Sequence, residues 1–422
     1  METLATGAWL SRERAIWIAV MCGIVSAICI AVLAAMAHGI LDYQGRPLGT
    51  DFSNIWTAGR MALEGNAVDT WEIPKFVAVQ QEVLGQKLTE VYIWVYPPPF
   101  LLVAALLATL PYIAALIVWQ LATLLPFTWL MYRLVPRRET LLLTLSAPVN
   151  LICLTHGHNG FLTALLLGGG LALLERRPLV AGLLLGCLIY KPQFALILPV
   201  LLLAGRHWRA IAGALASSGV LIAATLAIWG WPVWQAFFAA LPTAQYIVVE
   251  QGGAGWYKVM SPFAAARLWG GGIGAAYVLQ FLATASAAAA VAWISWTGRS
   301  AHLRNALVCA AVLISTPYVF DYDFVVLLPA IAFLFLDAER NGWFRWEKSL
   351  LALAWIGPLS ARQIAEFAGC PLGLIITFAV AAIAIRRASR HRHPAVDVQR
   401  LPGDVACLAA GQIDARRADI VA

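Results

Sequence analysis

The chain has 422 residues, of which 61% are hydrophobic and only 12% charged, with a formal net charge of +7 and a mean hydropathy of +0.77. A soluble domain carries about 25% charged residues, so this composition excludes a water-soluble globular protein. Apolar runs long enough to cross a hydrocarbon core of about 30 Å recur from end to end, and backbone satisfaction in lipid then demands helices. The chain reads as an all-α polytopic membrane protein.

The first run, residues 15–37, is too long for the core of a cleaved signal, and no small-residue cleavage site follows it, so it reads as a retained signal anchor. A long segment, 38–96, comes next and is expected to carry amphipathic helices. Within it "DFSNIWTAGRMALEG" (51–65) has apolar residues at helical spacing and predicts a helix lying on the membrane face, with Asp51 at its N-cap. "VYPPPF" (95–100), which contains Tyr96, imposes an extended approach to the next span, because proline donates no backbone hydrogen bond and restricts the residue before it.

A return pass within 97–133 follows, then an out-and-back pair (140–155, 161–175) and a second pair split at Lys191 (179–190, 194–205). After an outward helix (210–231), a loop (232–260) and an inward run (262–298) come a pair around "DYD" (306–320, 324–336) and a last pair (349–363, 367–385). That makes about 12 crossings. Several arms have only 12–16 apolar residues, short of the ~20 a straight span needs. Some are therefore expected to be tilted, re-entrant or broken around a cavity. Residues 1–393 read as one transmembrane domain, and 394–422 as a disordered cytoplasmic tail.

Arginines cluster at 11–14, 133–139, 175–178, 206–209, 299–304, 339–348 and 386–393, whereas "THGHNG" (155–160) and "FDYDF" (320–324) contain no Lys or Arg. Positive-inside logic puts the first set and both termini in the cytoplasm and the second set outside. The positive charge is then explained by topology and anionic membrane lipid, with no nucleic acid as partner. The seven cysteines are scattered without a Cys-x-x-Cys pair and read as small buried hydrophobes.

Four polar places stand out, all on the external side. Asp51 is either a helix cap or a carboxylate placed to take a proton from a substrate hydroxyl. His156, His158 and Asn159 occupy a hairpin tip, where turn geometry explains the Asn and its neighbouring glycines but not two histidines. Asp321 and Asp323 flank a tyrosine at another tip, where simple exposure at a turn is the plain alternative. Lys191, with Gln193, interrupts an apolar run at a cost of roughly 2.5–3.5 kcal/mol at a bilayer centre on insertion scales; it either snorkels to the interface or meets a ligand. One water-filled pocket opening outward accounts for all four. The glycines of 165–174 and 269–274 lack the strand and Lys-Ser/Thr context of a phosphate loop and read as close helix packing.

The ordered set "TDF…AGRMALEG…VYPPPFLLVAALLATLP…HGHNGFLTALLLGGG…YKPQFALILP…GRHWRA…STPYVFDYDF" resembles glycosyltransferase family 87, membrane enzymes of GT-C architecture that include polyprenol-phosphate-mannose-dependent α-1,2-mannosyltransferases. The resemblance covers most of residues 50–336 and is most specific from His156 to "RHWR". It implies inverting transfer of a hexose, mannose first, from a polyprenyl-phosphate donor to a lipid or glycan acceptor on the external face of a plasma or inner membrane. By this resemblance Asp51 is the base. Lys191, Gln193 and His156 would meet the donor phosphate, and His158, Asn159, Tyr96, Asp321 and Asp323 would line the substrate site. Where the family often has Gly-Gln before the hairpin Asn, this chain has Gly157-His158. No cofactor is implied; Asp51, Asp321 and Asp323 could together hold a hard divalent ion, but the resemblance requires none. The competing class is a transporter or flippase of a lipid-linked sugar, for which repeat symmetry and polar groups open to both faces would be expected.

Overall fold

The computed structural model describes residues 1–85 and 92–390; the tail expected to be disordered, 394–422, lies outside the described residues. Among these the secondary structure is helical, with isolated bridges such as Val259 to Phe320 in place of strands. The N-terminal third contains α1 (Glu2–Thr6), α2 (Arg12–Ala35), α3 (Phe52–Leu63), α4 (Ile73–Leu84), α5 (Pro99–Ala108) and α6 (Tyr112–Leu134). Next come α7 (Arg138–Leu145), α8 (Pro148–His156), α9 (Gly160–Leu173), α10 (Pro178–Gly186), α11 (Pro192–Ala195), α12 (Leu198–Ala204), α13 (Trp208–Trp229) and α14 (Trp231–Ala244). The remainder is α15 (Pro262–Leu268), α16 (Ile273–Trp296), α17 (Ala301–Ile314), α18 (Leu327–Asn341), α19 (Glu347–Ile356), α20 (Pro358–Ala368) and α21 (Leu372–Arg390).

Five of these, α2, α6, α13, α16 and α21, are long and apolar enough to cross a membrane, so the chain is a membrane protein. The other apolar helices are shorter. At 1.5 Å per residue the 14-residue α9 reaches roughly 21 Å, less than a bilayer core. The count of about 12 crossings is therefore not carried by helix length. Prolines and turns divide the expected arms: Pro148 separates α7 from α8, and Pro192 follows the break after α10. Gly270, at φ +81°, opens the loop between α15 and α16. Gly270, Gly271 and Gly272 thus serve that loop rather than helix packing, and Gly274 on α16 has open space where a Cβ would stand, whereas Gly170 on α9 does pack close, with Leu185 of α10 where a Cβ would stand.

The helix expected to lie on the membrane surface is instead α3, and ten of its twelve residues are buried, including the polar Ser53, Asn54 and Thr57. It packs along α5 so closely that a Cβ on Gly59 would run into the carbonyl of Ala104. The amphipathic pattern failed as a guide because it describes the apolar side only, and here the polar side is also covered. Residues 92–97, before α5, have no regular structure, and Pro99 starts the helix, as the proline-rich approach requires.

At the end where arginines collect, Arg387 of α21 is 1% exposed and donates to Glu347 through Nε and Nη2, to Asp337 through Nη1 at 2.7 Å, and to the carbonyl of Gly342. This cluster joins α18, the start of α19 and α21. The N-terminal segment docks beside it: Trp346 N–H donates to Ala5 O at 2.6 Å and Trp9 Nε1 to Ser349 Oγ at 2.7 Å. Removing one anion leaves Arg387 with Asp337 as its remaining charged partner, beside the Gly342 carbonyl. Glu347→Gln is accordingly expected to cost about 1.5–3 kcal/mol, the range for a hydrogen bond to a charged group, read as a lower thermal unfolding midpoint in detergent. An unchanged midpoint would show that Asp337 alone answers the guanidinium.

Candidate functional site

Three helix-hairpin tips and the start of α3 converge at one place: residues 157–159 between α8 and α9, 187–191 between α10 and α11, and 315–326 between α17 and α18. Trp119 on α6 holds the first tip by donating from Nε1 to Gly157 O at 3.0 Å. The Asp51 N–H, at the start of α3, donates to His156 O at 3.0 Å.

Lys191 lies between a single 3-10 turn (Cys187–Tyr190) and Pro192, which biases the residue before it away from the helical region; its φ and ψ are −136° and 67°. That geometry turns the side chain inward. Its Nζ donates to Asp323 Oδ1 at 2.5 Å and to Asn159 Oδ1 at 3.1 Å, and sits 4.6 Å from the Phe194 ring centre. With only 2% of the residue exposed, Lys191 neither snorkels nor faces an opening: its charge is answered by Asp323. Asp323 in turn accepts from the Phe320 N–H through Oδ2. No hydrogen bond joins Gln193 to this cluster among the described residues.

The network continues through Asn159, whose Nδ2 donates to the Tyr96 hydroxyl at 2.8 Å. Tyr96 Oη also lies 3.2 Å from His158 Nε2. Nδ1 is buried without a partner. The His158 ring stacks on Tyr322 with centroids 3.6 Å apart at 23°. The tip residues expected to be exposed are thus buried: His158, Asn159, Asp321 and Asp323 are each at most 3% exposed. Turn composition suggested solvent, but three tips packed together exclude it.

Asp51 occupies the N-cap position of α3, yet its backbone is helical (φ −74°, ψ −21°) and its side chain makes no cap hydrogen bond. The capping role does not hold, and the carboxylate is left for other work. Burial raises its pKa above the ordinary carboxylate value; His156 opposes that, Asp321 adds to it, and the Tyr322 hydroxyl and Arg362 draw it down. His156 Nδ1 donates to Ile152 O at 2.8 Å. Arg362 of α20 grips Asp321 with Nη2 at 2.8 and 3.1 Å. The charges pair as Lys191 with Asp323 and Arg362 with Asp321. Asp51 is the carboxylate of the set with no Lys or Arg at ion-pair distance among the described residues. No three His, Cys, Asp or Glu side chains gather as a metal-binding group among those residues.

Arg362 escaped the sequence reading because it lies after the resemblance fades, inside a run taken as an ordinary pass. The signal that could have exposed it is charge: an arginine in the middle of α20 is far in sequence from every arginine cluster. The fold and site define an integral membrane protein whose carboxylates and bases meet at buried hairpin tips. The family model of glycosyltransferase family 87 matches residues 94–317, over half the chain, so the protein belongs to glycosyltransferase family 87 and is a membrane glycosyltransferase. The match includes Tyr96, His156, His158, Asn159, Lys191 and Gln193 but not Asp51, Asp321, Asp323 or Arg362. No curated protein and no solved structure matches the chain.

Proposed function

We propose that the enzyme transfers a hexose, mannose first, from a polyprenyl-phosphate donor to a hydroxyl of a lipid or glycan acceptor, with inversion and with Asp51 as general base. The acceptor oxygen forms a bond to the anomeric carbon while the bond from that carbon to the phosphate oxygen breaks; the hydroxyl proton passes to Asp51 and the polyprenyl phosphate leaves as an anion. One base suffices for such a displacement. The observation that carries this reading is Asp51 itself: a carboxylate at a helix start that makes no cap hydrogen bond, pairs with no Lys or Arg among the described residues and has a raised pKa. The arginine distribution supports cytoplasmic termini and an active face outside a plasma or inner membrane.

Of the residues expected at the donor phosphate, His156 is the one whose charge acts on Asp51. Lys191 would have to leave Asp323 to reach a phosphate, and Tyr96, His158, Asn159 and Asp323 support the site from behind. The test supplies membranes containing the protein with labelled polyprenyl-phosphate sugars, one sugar at a time. Label is expected to move from the mannose donor into a lipid or glycan product. Label that remains on every donor, or donor that crosses the membrane intact, overturns the proposal.

A further inference from the structure

The donor class proposed above brings a phosphate whose negative charge grows as it leaves, and such a group calls for preorganised donors aimed at it. Lys191 is enclosed and engaged by Asp323 and Asn159. Arg362 is different. Its side chain is 23% exposed, and Nη2 alone serves both oxygens of Asp321. Nε is buried with no partner, and Nη1 has no protein acceptor among the described residues. A guanidinium can hold a carboxylate on one edge and present the rest of its fork to a phosphate.

Depth agrees with this. Five residues beyond Arg362 on α20, about 7.5 Å along the axis, Phe367 is 84% exposed. Trp269, 64% exposed, donates from Nε1 to Gly369 O at the end of the same helix. Tryptophan is enriched at the headgroup level of a bilayer, which is where a lipid-anchored phosphate travels, and Trp269 is the residue of the two that fits it. The same guanidinium lies near enough to Asp51 for its charge to act on that carboxyl.

We propose that Arg362 is the cation that binds the phosphate of the polyprenyl donor, through Nη1, while Nη2 keeps Asp321. The inference rests on the donor class given above, and the experiment separates the two. Binding of polyprenyl monophosphate and of the neutral polyprenol is measured on the detergent-solubilised full chain, in wild type, Arg362→Gln, Arg362→Lys and Asp321→Asn. Wild type is expected to prefer the phosphate. Arg362→Gln should weaken phosphate binding about 10- to 100-fold and leave polyprenol binding unchanged, which also reports an intact fold. Arg362→Lys, which keeps the charge without the fork, should fall between. Asp321→Asn should bind the phosphate as well as wild type or better. If Arg362 were only a latch for Asp321, Asp321→Asn and Arg362→Gln would behave alike, and that result overturns the proposal. Phosphate preference retained in Arg362→Gln overturns it alone; no preference in wild type removes the donor class and this inference with it.

Discussion

Asp51→Asn is expected to lower sugar transfer by about 10²–10⁴-fold, the usual contribution of a positioned general base, and to leave the protein at least as stable as wild type. The two halves of that expectation have separate causes. Asparagine keeps the size of the side chain and cannot take a proton from the acceptor hydroxyl. It also removes a carboxyl whose pKa burial has raised. A raised carboxyl binds its proton more tightly in the folded state than in the unfolded one, so its contribution to stability falls as pH climbs from the ordinary carboxylate value through the raised one. At neutral pH the ionised Asp51 is therefore a cost to the fold, and asparagine relieves it. Loss of a helix cap does not offset the gain, because the side chain caps nothing. In wild type the transfer rate should rise with pH through the raised Asp51 value, as the base form is populated. Transfer rates across pH, together with unfolding midpoints in one detergent, check both halves. A variant that retains more than about a tenth of the wild-type rate would remove Asp51 as the base.

The helical character and the hairpin arms were legible because an apolar run in lipid has few alternatives to a helix. The expected arms 161–175 and 306–320 correspond to α9 and α17. Their tips were legible as places where polar residues collect, and the structure does bring His158, Asn159, Lys191 and Asp323 together. What they do there was not legible. Lys191 and Asp323 are 132 positions apart in the chain, and nothing local marks either as the other's partner. A turn sequence such as 321–323 reads the same whether it faces water or other tips, so the burial of Asp321 and Asp323 depended on contacts that no single segment encodes. The misreading of α3 has the same origin: Gly59 looks like a weak helix position until α5 is seen against it. Asp51 was named for two roles, and only its backbone conformation and missing cap bond separate them.

The second large effect is expected at the Lys191–Asp323 pair. Lys191→Met should cost about 3–5 kcal/mol, because it leaves Asp323, 1% exposed, as an uncompensated buried carboxylate. Asp323→Leu should cost about as much by stranding the lysine. The double variant, Lys191→Met with Asp323→Leu, should recover most of the loss, since a buried pair replaced by apolar side chains is often neutral or stabilising. Additive losses in the double variant would show that the two residues act independently. Activity should not recover with stability. Without the ammonium, Asn159 Oδ1 loses its donor, and Asn159 orients the Tyr96 hydroxyl that meets His158, the ring stacked on Tyr322 beside Asp51. A lysine that acts through this chain of contacts predicts a stable double variant with a lower turnover number and an unchanged KM for the donor. A lysine that binds the phosphate directly predicts instead a raised donor KM, so unfolding midpoints and donor kinetics on the same four proteins decide between a pin that sets the geometry around Asp51 and a ligand for the leaving group.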